Sequence, residues 1–235
     1  MIRLIVKSRT FVKTKRIKQN SLSMKSRILI LLLFLSSTFS LSAQTRLGTT
    51  PRIINRADNF YYELDSLFLG KEYSYQALLG FAMITRNAFG NCACLRSNYD
   101  YTSKNAELVY LVLNRNERVK SGKKNVTTYR CRISEETFLE LSDLFTDAVF
   151  ASIPGNTLSG ADGVIYEFLS GDFFSAECWS PQLFSESNCA RLVSLIERVE
   201  MAVRDNDSES IEELRPEINN LTEVFKELRV AIGNQ

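Results

Sequence analysis

The chain has 235 residues, with 29 Lys and Arg against 27 Asp and Glu, a formal charge of +2, and 45% hydrophobic residues. These values are typical of one or two globular domains, and they exclude a disordered tail, a collagen-like repeat and a multi-span membrane protein. The chain contains no histidine. This excludes a Ser-His-Asp or Cys-His catalytic site, an H-E-x-x-H zinc site and any imidazole base.

The first 43 residues have the pattern of an export signal. Nine Lys and Arg residues and no acidic residue lie within residues 1–27, and residues 28–43 carry no charge. A basic segment followed by an apolar segment and small residues is the plan of a secretory signal. The apolar segment is shorter than the roughly 20 residues that a membrane-spanning helix needs. We therefore expect cleavage near Ala43, export to the periplasm or the extracellular space, and no stable membrane anchor.

The basic segment is longer than a signal requires. Met24, followed closely by Lys25 and Arg27, gives a compact signal by itself. The sequence therefore favours translation from Met24, with residues 1–23 as a mis-assigned extension. Two alternatives stay open: a start at Met1 with a long basic segment, and a segment that is not cleaved and acts as an anchor.

The predicted mature chain is acidic. Residues 44–235 hold 20 basic and all 27 acidic residues, which gives a formal charge of −7. Nucleic-acid binding usually requires a basic surface, so the mature chain gives little support for a nucleic-acid partner.

Five cysteines follow the predicted cleavage site: Cys92, Cys94, Cys131, Cys178 and Cys189. Export favours disulfides, and five cysteines allow 15 ways of making two bonds, so the connectivity is not determined. Cys178 with Cys189 is one candidate pair, which would tie a strand end to the next helix. Cys92 and Cys94 allow two interpretations. They form a strained, redox-active bond with each other, or they staple a loop to a strand through Cys131. We expect no metal and no cofactor, because the chain lacks histidine and any C-x-x-C pair.

Residues 44–104 are predicted to be a helical N-terminal region followed by a loop. Apolar residues recur at helical spacing over residues 57–88, with a break at Gly70. Residues 89–104 are rich in Asn, Ser and Tyr and are predicted to be the loop.

Residues 105–205 are predicted to be an α+β core with a four-stranded antiparallel sheet packed by helices. In chain order, the predicted elements are strands 107–113 and 126–133, helix 135–150, strands 164–169 and 173–179, and helix 186–204. Ser134 is the expected N-cap of the first helix. The basic connection 114–125 is interpreted as a solvated loop tip, with an anionic partner as the alternative.

The hairpin at residues 164–179 carries the first candidate binding surface. Gly171 and Asp172 suit a two-residue turn, which pairs Glu167 with Ala176. In this register Glu167 and Glu177 lie on opposite faces and make a poor acid–base pair for glycoside hydrolysis. One face is aromatic, and either helices cover it or it binds a partner. Its candidate binding residues are Tyr166, Phe168, Phe173 and Trp179.

Residues 206–235 are predicted to form a C-terminal amphipathic helix with Pro216 in its first turn. Its apolar residues follow a heptad pattern: Ile211, Leu214, Ile218, Leu221, Phe225, Leu228 and Ile232. The helix either packs on its own domain or pairs with a partner helix, which would also allow a homo-oligomer. Leu221 and Phe225 are the candidate binding residues of this surface.

Four short motifs lie in order between Tyr129 and Val199: YRCRISEETFLEL, DGVIYEF, AECWSP and LVSLIERV. Their outline is a strand, a helix, an Asp-Gly-x-x-Tyr strand, a strand ending at Trp-Ser-Pro, and a helix. In this outline the chain resembles small exported bacterial proteins that have no assigned activity. The resemblance implies an α+β fold and bacterial export, and it brings no catalytic residues.

These observations predict an exported, non-catalytic module that binds a protein or cell-envelope partner. The alternative is an exported enzyme or thiol-redox protein that uses Cys92 and Cys94 or a group of carboxylates.

Overall fold

The computed structural model describes residues 47–51, 59–70, 80–114, 125–154, 163–171, 174–180 and 186–233. All of them belong to one compact unit of the chain, Ser40–Gln235. The predicted leader, most of the basic connection and Phe173 lie outside the described residues.

Eight strands and five helices make up the described part of the chain. In chain order they are β1 Gly48–Pro51, α1 Asn59–Leu69, β2 Phe81–Asn87, β3 Cys92–Asp100, β4 Asn105–Leu113, β5 Val126–Ile133, α2 Glu135–Phe150, β6 Ile153–Pro154, β7 Val164–Ser170, β8 Phe174–Trp179, α3 Asn188–Asp205, α4 Ser208–Glu213 and α5 Arg215–Gly233.

The strands form one sheet in the spatial order β5-β4-β3-β2-β7-β8-β1-β6. Six long strands, β2 to β5 with β7 and β8, are antiparallel to their neighbours. The short strand β1 continues the sheet antiparallel to β8, and β6 pairs with β1 in parallel. The α+β class is confirmed, but the predicted four-stranded sheet is wrong, because β2 and β3 lie between the two predicted hairpins.

The two missed strands were predicted to be the end of a helix and a loop. β2 is buried almost throughout, and β3 is buried over its first half on both faces. A strand covered on both faces lacks the alternation of polar and apolar residues that identifies a strand in sequence. Among the described residues of the range 57–88, Asn59–Leu69 forms α1, whereas Phe81–Asn87 is a strand and not the end of the predicted helix. Helix α1 ends at Gly70, whose positive φ of 66° suits glycine.

The predicted helices of the core and the C-terminus are confirmed as α2, α3 and α5. The Ser134 side chain accepts a hydrogen bond from the Thr137 amide and caps α2, as predicted. Ser187 caps α3 in the same way, through the Ala190 amide. These local signals succeed because a cap and the first turn of its helix lie within four residues.

Helices cover both faces of the sheet. One face, here called the helical face, packs against α2, α3 and α5 in the main apolar cluster. The opposite face, here called the α1 face, packs against α1 in a second, smaller cluster. The described helices include none that is both long and apolar enough to cross a membrane.

The register of the β7–β8 hairpin differs from the prediction. Ser170 pairs with Phe174, so three residues, rather than two, separate the paired strand ends. One extra residue moves the side chains of one strand to the other face relative to its partner. Glu167 therefore lies directly opposite Glu177 on the α1 face, and their predicted separation on opposite faces is wrong.

All five cysteines are buried free thiols. Cys92 and Cys94 belong to the α1-face cluster, whereas Cys131 belongs to the helical-face cluster. The predicted staple through Cys131 is therefore wrong, because the sheet separates it from Cys92 and Cys94. Cys178 and Cys189 are hydrogen-bonded to each other in the core, and the structure holds this predicted disulfide pair as two thiols.

Candidate functional site: a pocket between the sheet and α3

A pocket of about 460 Å³ lies between the helical face of the sheet and α3. Its floor comes from one end of five neighbouring strands, namely the ends of β2 and β4 and the starts of β3, β5 and β7. At this end of the sheet the side chains of the helical face change from apolar to polar. The pocket therefore begins where the packed core stops.

The floor combines aromatic rings with hydroxyl and amide groups. Its rings and hydroxyls are those of Tyr110, Tyr129, Tyr166, Thr85 and Thr127, and its amides are those of Asn87, Asn91 and Asn114. Strand pairing brings them together, since Tyr110 lies opposite Tyr129 and Thr85 lies opposite Tyr166. Alternate residues of a strand point to the same face, so every second position of these strands reaches the pocket.

The wall of the pocket is one stripe of α3, formed by Glu197, Glu200 and Arg204. Residues three and four apart lie on the same side of a helix. Glu200 is only 9% exposed, because it lies among the buried Ile196 and Val199 on the side of α3 that faces the sheet. A carboxyl at a core-facing position is uncommon unless it is paired or functional.

Hydrogen bonds join the floor to the wall. The Tyr166 hydroxyl donates to Glu197 Oε1 over 2.9 Å, and the Tyr110 hydroxyl donates to the Glu200 carboxylate. The rings of Tyr110 and Tyr129 stack with their centroids 6.1 Å apart. The Arg204 guanidinium lies 5.8 Å from the Tyr129 ring centroid, a cation–π distance.

Two buried polar atoms of the lining have no hydrogen-bond partner among the described residues, Glu200 Oε1 and Thr85 Oγ1. Burial, reinforced by the nearby charge of Glu197, raises the pKa of Glu200 from 4.5 to about 8. Burial also raises the pKa of Tyr110, and the charge of Glu200 adds to this effect. The carboxyl of Glu200 can therefore exchange a proton near neutral pH.

A second charged cluster lies on the α1 face and has a structural role. Arg86 forms ion pairs with Glu167 and, over 3.4 Å, with Asp65 of α1. The side chains of Arg86 and Glu167 are 5% and 2% exposed, so a substrate has no access to them. In the described ranges, no three His, Cys, Asp or Glu side chains are grouped so that they could hold a metal ion.

The structure brings one of the predicted binding residues to the pocket, Tyr166. Phe168 is fully buried in the main core, as are Leu221 and Phe225 of α5. Trp179 pairs with Ile165 and lies on the opposite face from Tyr166. The predicted aromatic surface is therefore divided between a core, a pocket and the other face of the sheet.

The cysteines give little support to a redox site. Cys94 is fully buried, and burial raises the pKa of its thiol well above its ordinary value. The thiolate is the reactive form of cysteine, so a thiol held protonated is a poor nucleophile. Cys92 is also buried beneath the α1-face cluster.

The sequence held two signals for the pocket that its interpretation missed. Glu200 interrupts the apolar side of a helix, and polar residues continue the inward-facing positions at several strand ends. The second signal was hidden, because Thr85 and Asn87 were placed in a helix and Asn91 in a loop. Without β2 and β3 the pocket lacks the middle of its floor.

Fold and site together define an α+β protein with a small polar pocket on one face of an antiparallel sheet. A comparison of this chain with known protein families, with curated proteins and with solved structures finds no match.

Proposed function

We propose that this protein is an exported binding protein, and that the pocket beside α3 holds its small polar ligand. The observation that carries the proposal is the buried carboxyl of Glu200, which lines the pocket with one oxygen unpartnered among the described residues. An unsatisfied buried polar atom costs about 1–3 kcal/mol. A ligand that donates a hydrogen bond to it removes this cost on binding.

The size and lining of the pocket support a small organic ligand. A volume of about 460 Å³ falls within the range of about 300–1,000 Å³ that is typical of small-molecule sites. The aromatic rings of Tyr110 and Tyr129 supply apolar contact, and the neighbouring hydroxyl and amide groups supply orientation. In contrast, Phe168, Leu221 and Phe225 are buried, so they give no support to docking of a protein partner.

Export is the part of the proposal that rests on sequence alone. The leader pattern of residues 1–43 and the resemblance to small exported bacterial proteins both support it. The acidic charge of residues 44–235 supports neither nucleic acid nor an anionic surface as the partner.

A pair of neighbouring substitutions tests the pocket. Thr127 lines the pocket, whereas Thr128 is the next residue of β5 and lies exposed on the opposite face. We expect Thr127→Trp to fill the pocket and Thr128→Trp to leave it open. The purified protein and both variants are screened by thermal shift against a library of small polar metabolites.

The proposal predicts compounds that raise the melting temperature of the original protein and of Thr128→Trp, but not of Thr127→Trp. A screen without any such compound, or with hits that stabilise both variants equally, would overturn it.

An exported enzyme is the second candidate, and one observation favours it. The pKa of Glu200, about 8, lies near the pH at which a general acid or base works, and a second carboxylate, Glu197, is close by. Each compound found in the screen is therefore incubated with the original protein and with Glu200→Gln. If the original protein converts a compound to product and Glu200→Gln does not, the protein is an enzyme and not a binding protein.

A further inference from the structure

We infer that the pocket is selective for ligands with an organic ammonium group, which lies between the Glu200 carboxylate and the tyrosine rings of the floor. This inference rests on the proposed function and names the class of ligand that the pocket takes. It follows from the hydrogen-bonding capacity, the charges and the rings of the lining.

The lining around Glu200 offers acceptor atoms to a ligand. Tyr110 donates its hydroxyl proton to Glu200, so its phenol oxygen keeps lone pairs that can accept a hydrogen bond. Glu200 Oε1 and Thr85 Oγ1 add two more atoms without a partner among the described residues. A group with several donors and a positive charge fits such a set best, because charge-assisted hydrogen bonds are about twice as strong as neutral ones.

The charges of the lining favour a cation. Two carboxyl groups, Glu197 and Glu200, line the pocket, and Arg204 is the one Lys or Arg among its described lining residues, so the lining has a net negative charge once Glu200 is ionised. Arg204 is exposed and lies over the Tyr129 ring, and no ion pair joins it to Glu200 in the described part of the chain. Its position shows that this ring accepts a cation, and an ammonium group close to Tyr110 would meet a similar ring face.

Binding of an ammonium group depends on pH in a defined direction. The groups that face Glu200 are Tyr110, Tyr129 and Tyr166 from the sheet and Glu197 and Arg204 from its own helix; its charge also reaches Cys94 behind the sheet. The pKa of Glu200 is about 8 in the empty pocket, so below that pH a cation binds with release of a proton. Affinity then rises by up to about tenfold per pH unit towards pH 8. A ligand that accepts a proton from neutral Glu200 shows the opposite trend.

The test compares ammonium probes with uncharged analogues of the same shape. The probes are benzylamine, cadaverine and choline, and the matched compounds are benzyl alcohol, pentanediol and dimethylbutanol. Dissociation constants for the purified protein are measured by NMR titration at pH 6 and pH 8. We expect at least one ammonium probe to bind about tenfold or more tightly than its neutral partner, and more tightly at pH 8 than at pH 6.

Four variants locate the effect. Glu200→Gln is expected to weaken the ammonium probe about tenfold and to abolish its pH dependence, and Thr127→Trp to prevent binding. Thr128→Trp is expected to bind as the original protein does. Arg204→Gln removes a competing positive charge at an exposed position and is expected to strengthen binding severalfold, which keeps the test decisive if Glu200→Gln does not fold.

The outcomes separate the two proposals. Equal binding of the neutral compounds, a reversed pH trend, or the absence of binding by every ammonium probe would overturn the ammonium inference. If Thr127→Trp still abolishes binding of the neutral compounds, the pocket proposal stands without the ammonium inference. If bound probes are unaffected by Thr127→Trp, both proposals fail.

Discussion

The hydroxyl of Tyr166 lies 2.9 Å from Glu197 Oε1, and this hydrogen bond joins the floor of the pocket to its wall. The two residues are 31 positions apart in sequence, on β7 and α3. The bond holds a carboxylate of the helix against the sheet, which fixes the width of the pocket at this point.

Tyr166→Phe removes this bond and retains the ring. We expect a loss of about 1 kcal/mol in the free energy of unfolding, because a hydrogen bond to a charged group contributes about that much or somewhat more. The measurement is the urea midpoint of unfolding, with Tyr101→Phe as the matched control at a half-exposed tyrosine. Equal midpoints for the two variants would show that the bond to Glu197 contributes nothing in solution.

Glu200 makes the stability of the protein depend on pH. Its pKa is 4.5 in an exposed state and about 8 in the folded protein, so the folded state binds the proton more tightly than the unfolded state. The stabilisation is complete below about pH 4.5 and is lost as the pH rises through about 8. The Gln side chain does not titrate. Between about pH 4.5 and pH 8 we therefore expect the free energy of unfolding of Glu200→Gln to fall less than that of the original protein, by on the order of a few kcal/mol.

Urea unfolding at about pH 5 and pH 8.5 measures the effect. Glu209→Gln, at an exposed position of α4, is the control. If Glu200→Gln and Glu209→Gln show the same pH dependence as the original protein, Glu200 does not carry a raised pKa.

The ion pair between Arg86 and Glu167 is buried on the α1 face. Arg86→Leu leaves the carboxylate of Glu167 buried without its cation, which costs about 3–5 kcal/mol. The double variant Arg86→Leu with Glu167→Leu removes both charges, and we expect it to regain most of the loss. Lys226→Ala, which breaks the exposed 3.3 Å pair with Glu223, is expected to cost about 0–1 kcal/mol.

Thermal unfolding of these variants gives the comparison. A double variant that is no more stable than Arg86→Leu would contradict the explanation by an uncompensated buried charge.

The C-terminal helix α5 packs on α2 of its own domain. Leu221 is 1% exposed in the main core cluster, and Arg215 forms two hydrogen bonds to Glu140 of α2 at 2.8 and 2.9 Å. Leu221→Asp therefore buries a charge, and we expect it to cost more than about 4 kcal/mol and to unfold the domain.

Val230→Asp, at a position that is 61% exposed, is the matched control and is expected to change stability by less than about 0.5 kcal/mol. Circular dichroism melting curves and size-exclusion chromatography check both variants. A folded Leu221→Asp protein with a changed elution volume would instead support pairing of α5 with a partner helix.

The cysteines differ in their tendency to form disulfides. The thiols of Cys178 and Cys189 are in hydrogen-bond contact, so this pair is placed to form a disulfide by thiol–disulfide exchange. Because the Cys178 thiol is buried and its pKa is raised, we expect oxidised glutathione to form this bond only slowly. Cys131 is expected to remain a thiol, because the sheet separates it from Cys92 and Cys94. Cys92 and Cys94 lie one residue apart in β3, where a bond between them would be strained, and they are also expected to remain thiols. Peptide mapping without reduction checks this, and a bond between Cys92 and Cys94 would contradict it.

The helices show how far local sequence information reaches. The bounds predicted for α2 and α3 agree with the structure to within two residues, because an apolar stripe, a capping residue and the end of a helix are all local features. The strands β4, β5, β7 and β8 were identified for a similar reason: each is a short β-rich segment bounded by turn or loop residues.

The pocket depends on relationships that are not local. β2 and β3 are the centre of the sheet, and their burial on both faces removed the pattern that would have identified them. The single extra residue in the β7–β8 turn decided the face on which Glu167, Glu177 and Trp179 lie. Neither the position of a central strand nor the length of a turn can be read from side-chain periodicity.

The sequence alone determined the α+β class, the helices α2, α3 and α5 with the Ser134 cap of α2, and four of the six long strands, because propensity and periodicity act over a few neighbouring residues. The tertiary structure decided which strands lie in the middle of the sheet, which side chains share a face, and that Glu197 and Glu200 meet Tyr166 and Tyr110. Those contacts join residues far apart in the chain, and the packing of α3 on the sheet brings them together.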